Sequence, residues 1–355
     1  MHDIFEAQEE IALAVMRALS VSLAGGEQSA LLRHHTVDLQ AQELHLKGRF
    51  HLFRMTPVGI ELGLSYFRQA IERDPADAVA QVGLAHAYRM FALTLERAPN
   101  EVLPNAKRAA EKAVRLDGSL AEAHAVLGFN TFWHEWLWDV AEKHFRRALE
   151  LNPASADVRW MYAHLLSNTG RHEEALAQIE HARELDPLSG LINALEGQFL
   201  LHARRIEPAV ARLREALQLD SNSRVAHLFA ASAYIEQDLF PEAISETRAA
   251  RALSPSDTHA MALEALAEIK IGNKAQAHLM RDQMLQLSRE RYIPPYHIAI
   301  LYNGFNELAE AFTWLDQGFE KHDPKMVFLK VDPRWKNLRG EPRYQRLLRR
   351  MRFLP

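Results

Sequence analysis

Residues 162–187 read YAHLLSNTGRHEEALAQIEHARELDP. Tyr162-Ala163 opens the stretch, Gly170 divides it, Ala175, Ile179 and Ala182 follow at helical spacing, and Asp186-Pro187 ends it. The same alanine recurs outward in both directions. Ala141, Ala175, Ala209, Ala243, Ala277 and Ala311 stand 34 residues apart. A second column of small residues runs Ala163, Gly197, Ala231, Ala265 and Ala299, and a third runs Ala148, Ala182, Ala216 and Ala250 before passing to Met284 and Gly318. A turn column runs Pro153, Pro187, Ser221, Pro255, Arg289 and Asp323. Several columns in one register define an internal repeat, the first thing to establish in any chain.

Physical chemistry turns these columns into a fold. Each period holds two antiparallel helices, and small residues mark where their axes cross closely. Asn152-Pro153 and Asp186-Pro187 stop the second helix, because a residue preceding proline avoids helical geometry. Gly170 ends the first helix of its pair in the position that favours positive φ. Two earlier copies carry insertions. One has Phe67 as its large packing residue and ends at Asp74-Pro75; the next has Tyr88 on its first helix and ends at Asp117-Gly118, with extra residues around Ala98–Pro104.

The pattern resembles the tetratricopeptide repeat, carried by Tyr162, Ala163, Gly170, Ala175, Ile179, Ala182 and Pro187. The resemblance implies an all-α fold, a right-handed superhelical solenoid of about eight helix pairs over residues 41–323. A scaffold of this kind serves many partners, so the fold alone does not name a function.

Composition bounds the rest. The chain has 355 residues, 48% hydrophobic and 25% charged, with 42 Lys and Arg against 46 Asp and Glu, for a net charge of −4. This is the profile of a folded chain, not a disordered one, and the near-neutral balance argues against a dedicated nucleic-acid coat. Cysteine is absent, which excludes disulfides, thiolate metal sites and cysteine nucleophiles. The most apolar early run, Ile11 to Ala24, has 14 residues and includes Arg17, short of the roughly 20 a membrane span needs. With Asp3, Glu6, Glu9 and Glu10 before it, the run is not a secretory leader. The chain is read as cytoplasmic.

Residues 1–40 are expected to form one amphipathic helix through Ile4, Ile11, Val15 and Leu19, ended by Gly25-Gly26. It either covers the first repeat or ends a domain lying upstream. Residues 324–355 form a basic tail. From Lys325 to Pro355 ten Lys or Arg face only Asp332 and Glu341, a local net of +8 against −12 for the remainder. Tyr344, Leu347, Leu348 and Met351 make an apolar stripe there. The tail is expected to cap the last repeat, with a site for nucleic acid or an acidic partner as the competing reading.

The segments Asp3–Ala12, Leu46–Phe50 with Thr56-Pro57, and Phe328–Arg334 with Pro342–Leu348 resemble the joins and ending of bacterial multidomain regulators. In those proteins a TolB-like domain precedes the repeats, and a winged-helix, nucleotide-cyclase or kinase effector lies further upstream. That resemblance implies a regulatory arm whose partner is an effector domain or effector protein.

No phosphate loop, dinucleotide fingerprint or nucleophile elbow is present, and the eighteen histidines lack metal-ligand spacing. No cofactor and no enzymatic activity are expected. In the tetratricopeptide family the first helix of each repeat lines the concave groove. That implies groove positions for Phe129, Phe132 and Trp133 in the third repeat, for Asp157, Trp160, His164 and Asn168 in the fourth, and for Gln198 and His202 in the fifth. The family's carboxylate clamp wants Lys and Asn four apart; Trp160/His164 and Ala194/Gln198 occupy those positions here. The expected partner is therefore a peptide or protein segment met by aromatic and amide groups.

Overall fold

The computed structural model describes residues 38–52, 56–94 and 97–353. Every regular element among them is helical: seventeen α-helices and two short 3-10 turns. Sixteen helices form eight antiparallel pairs: α1 (Leu39–Leu52) with α2 (Pro57–Arg73), α3 (Ala78–Leu93) with α4 (Pro99–Leu116), α5 (Ala121–Glu135) with α6 (Trp138–Leu151), α7 (Ala156–Asn168) with α8 (His172–Leu185), α9 (Gly190–His202) with α10 (Ile206–Leu219), α11 (Arg224–Glu236) with α12 (Phe240–Leu253), α13 (Thr258–Lys270) with α14 (Lys274–Glu290), and α15 (Pro295–Gly304) with α16 (Leu308–Glu320). The expected N-terminal helix lies outside the described residues.

Local sequence explains the boundaries. Ser155, Ser189, Ser223 and Asp257, again 34 apart, are N-caps whose side chains accept from the amides of Val158, Ile192, Ala226 and Ala260. The second helices end on extended residues such as Asn152, Asp186 and Asp220, whose N–H groups donate to the carbonyls of Ala148, Ala182 and Ala216. The alanines of all three columns are fully buried. Gly197 shows why the column must be small: a Cβ there would lie 2.5 Å from Leu213 Cγ.

The turn between paired helices needs a left-handed residue, since a helix commonly ends on one. It is supplied at 34-residue intervals by Trp136, Gly170, Arg204, Asp238, Gly272 and Asn306, with φ between 54° and 90°. Only two of the six are glycine, so the sequence exposes this column only in part.

In a simple solenoid each repeat touches only its neighbours. The structure differs: the turn after α16 reaches the turn between α5 and α6. Phe319 and His322 both stack on Trp136, at 5.0 and 4.8 Å. The eighth repeat thus meets the third, and one contiguous hydrophobic core runs from Ala125 to Phe353. Small rotations between successive repeats accumulate until the superhelix returns on itself.

The C-terminal segment seals that return. It comprises the turns Pro324–Phe328 and Pro333–Trp335 and helix α17 (Pro342–Arg350). α17 covers α16 as a cap would: Arg343 pairs with Asp316 and Arg350 with Glu320, and Tyr344, Leu347 and Met351 of the stripe are buried. The segment also runs on to the third repeat. Trp138 Nε1 donates to the Met351 carbonyl at 2.9 Å, and Phe353 stacks on the Trp138 ring.

Candidate functional site

The first helices α5, α7 and α9 lie side by side and carry an aromatic wall. His164 lies at its centre. Its ring is within 5.1–6.5 Å of the rings of Phe129, Trp133, Trp160, Phe199 and Phe328. Phe129 stacks on Trp133 at 5.1 Å and meets Trp160 edge-on at 5.8 Å, an arrangement that suits the aromatic quadrupole. Phe129 and Trp133, four apart, share one face of α5.

The expected site residues divide into three groups. Trp160 is half-buried, and its Nε1 donates to Asp157 Oδ1 at 2.9 Å, with Asp157 exposed. These two form the open edge of the wall. Phe129, Trp133, His164, Asn168, Gln198 and His202 are buried. Among the described residues, Trp133 Nε1, His164 Nδ1, Gln198 Oε1 and both amide atoms of Asn168 have no hydrogen-bond partner, whereas His202 Nδ1 meets Ser167 Oγ at 2.9 Å. Phe132, fully buried, touches both sides: its ring lies 5.1 Å from Phe129 and 6.0 Å from Trp133, and 6.1 and 6.0 Å from Phe145 and Trp138 of α6.

Two components escape the sequence reading. Arg89 of α3 places its guanidinium 4.5 Å over the Phe129 ring, with Nη2 at 2.7 Å from His86 Nδ1. Phe328 of the C-terminal segment packs on Trp133, His164 and His202 at 5.8–6.0 Å. Neither has a sequence signal, since each reaches the wall from a different part of the chain.

Burial sets the electrostatics. It holds His164 and His202 down to about 3, so both imidazoles are neutral acceptors or donors at neutral pH. It also lowers Arg89 to about 10, which leaves that residue charged at neutral pH. Beside the wall, Trp335 Nε1 donates to Tyr296 Oη at 2.7 Å, and Tyr296 donates in turn to Asp332 Oδ2 at 2.6 Å. Asp332 also pairs with Arg334. This arrangement provides aromatic surface and amide hydrogen bonding. Among the described residues no three His, Asp or Glu side chains converge as a metal site would require. No described helix is long and apolar enough to cross a membrane.

Residues 138–199 match the tetratricopeptide repeat family model. Among curated proteins, the chain is similar to the transcriptional regulator HilA of Salmonella typhimurium, 30% identical over 137 residues, covering 38% of this chain and 24% of that protein. A Rhizobium meliloti protein whose name places it with adenylate cyclases is 29% identical over 134 residues, covering 38% of this chain and 23% of its own length. The matches thus span about a quarter of those relatives. Among solved structures, yeast Tom70 aligns with a TM-score of 0.52 at 13% identity, over 87% of this chain and 67% of that one. The Cut9–Hcn1 assembly of the APC/C aligns with a TM-score of 0.50 at 18% identity, over 74% of this chain and 52% of that one. At such identities the structural likeness speaks for the fold alone. With the 34-residue columns, the eight helix pairs and the family match over residues 138–199 in agreement, the fold is an all-α solenoid of tetratricopeptide-type helix pairs.

Proposed function

We propose that this chain is a non-enzymatic interaction scaffold that binds a peptide or protein segment on its concave face. The observation that carries the reading is the wall of α5, α7 and α9, which already accommodates a short 3-10 turn of polypeptide ending at Phe328. Trp160 and Asp157 extend that wall at its accessible edge. Half-buried tryptophan beside polar groups is the usual composition of an interface hot spot. A second reading rests on the match to HilA. It takes the solenoid as the regulatory or sensory arm of a bacterial signalling or transcription regulator, acting in the cytoplasm, with an effector domain or effector protein as its partner.

Peptide-display selection against the full chain tests the proposal. Selected peptides should bind the Trp160→Ala protein at least about thirtyfold more weakly, the loss of a hot-spot residue. Equal binding to a folded Trp160→Ala protein would remove the concave face from consideration.

A further inference from the structure

The seam between the C-terminal segment and the solenoid is lined with imidazoles. His322 Nδ1 donates to the His134 carbonyl at 2.7 Å, and the two rings lie 4.8 Å apart. Phe328 packs between His164 and His202. Further along, His259 and His297 stack at 4.9 Å with an interplanar angle of 8°. Among the described residues, no carboxylate hydrogen-bonds to any of these six rings. Among the same residues, His202 and His297 hydrogen-bond to the hydroxyls of Ser167 and Thr258, and His134 Nδ1, His164 Nδ1 and His297 Nε2 are buried without a hydrogen-bond partner. His227 on α11 is the contrast: it pairs with Glu246, and that contact raises its pKa.

The charges facing these rings are mostly of the wrong sign to welcome a proton. His134 faces His322 and Lys107. His164 faces His202, Lys325 and Arg89. His202 faces His172, Arg334 and Arg204; its one nearby acid, Asp332, is already held by Arg334 and Tyr296. His259 and His297 face Lys325, Arg334 and Arg224, and Asp257 is taken by Arg224. Two stacked imidazoles cannot both carry a proton without strong repulsion.

We propose that the closure is acid-operated: protonation of the histidines beneath residues 322–353 releases that segment from the concave face and parts the eighth repeat from the third. Burial holds His134 at about 4 and His164 and His202 at about 3, against about 6.5 for an open imidazole. A depressed histidine pKa stabilises the closed form above 6.5, and that stability is lost as pH falls toward 4. At pH 5 each of the three rings favours the open form by about thirtyfold. The segment is suited to leave as a unit. It has two 3-10 turns of five and three residues and one nine-residue helix, so its release breaks none of the backbone ladders of α5–α16. Buried Trp335, Tyr344 and Met351 oppose release at neutral pH. The inference concerns the closure itself and stands apart from any partner on the wall.

Hydrogen exchange of the full chain at pH 7.5 and pH 5.0, corrected for intrinsic rates, provides the test. Amides of residues 324–353 should lose protection by at least about thirtyfold at pH 5.0, while those of α9–α12 keep theirs. In a His164→Phe protein, whose aromatic surroundings accept the ring, the pH midpoint should move toward acid. His124→Gln, away from the seam, should leave it in place. Unchanged protection of the segment at pH 5.0, or its loss together with α9–α12, would overturn the proposal. The wild-type profile decides the matter even where His164→Phe fails to fold.

Discussion

Replacing Gly197 by alanine sets two effects of opposite sign against each other. Gly197 lies inside α9, where alanine is the better helix former by about 1 kcal/mol. Helix propensity alone therefore makes Gly197→Ala stabilising. The added Cβ, however, would sit 2.5 Å from Leu213 Cγ and 2.8 Å from Leu213 Cδ2. Because Cγ is the branch point of the leucine, rotating its methyl groups does not clear the contact. Leu213 is fully buried in α10 and has no solvent to turn into. The helices must separate or the leucine must leave its rotamer, and overpacking of this kind costs about 1–3 kcal/mol. The net expectation is a loss of up to ~2 kcal/mol. Gly190→Ala is the control: it opens the same helix, and its Cβ would meet only Asp220 Cβ at an ordinary 3.4 Å. Urea unfolding followed by far-ultraviolet circular dichroism compares the two. Gly197→Ala should lower the midpoint, and Gly190→Ala should leave it unchanged or raise it. A Gly197→Ala protein at least as stable as the parent would refute the view that helix crossings dictate the small-residue columns.

The buried relay beside the wall yields a second test: Tyr296→Phe removes the hydroxyl shared by Trp335 and Asp332 and should cost about 1–3 kcal/mol, read by thermal melting. Asp332→Ala should cost more, about 3–5 kcal/mol, because it strips the mostly buried Arg334 of its partner. At the left-handed turn column, Arg204→Gly should stabilise by up to ~1 kcal/mol, since a non-glycine residue is strained at φ 63°; a lower melting temperature would count against strain at that turn. Deleting residues 344–355 uncovers α16 and removes the contacts to Trp138, so scattering and melting should report aggregation or a lower transition. A truncated protein that melts like the parent would show the tail to be dispensable for folding.

Much of this molecule is legible in its sequence because a repeat contacts its neighbour through short-range rules. The alanines at 141, 175, 209, 243, 277 and 311 need only a helix crossing to be small, and all six are fully buried. The helix stops at Asn152 and Asp186 follow from the proline after each, a purely local constraint. The left-handed turn column is half-hidden because Trp136, Arg204, Asp238 and Asn306 occupy it where glycine would have announced it. The aromatic site is legible only as a list of helix faces: Phe129, Trp133 and His164 do meet, and Phe132 reaches both Phe129 and, through Phe145, the second helix of its pair. What covers the wall was not readable at all. Phe328 meets Trp133 across 195 positions of sequence, and Met351 meets Trp138 across 213. Those contacts exist because a small rotation at each repeat, summed over five interfaces, brings the eighth repeat back to the third. No residue pattern states that sum, so only the tertiary structure decided that the solenoid closes on its own C-terminal segment.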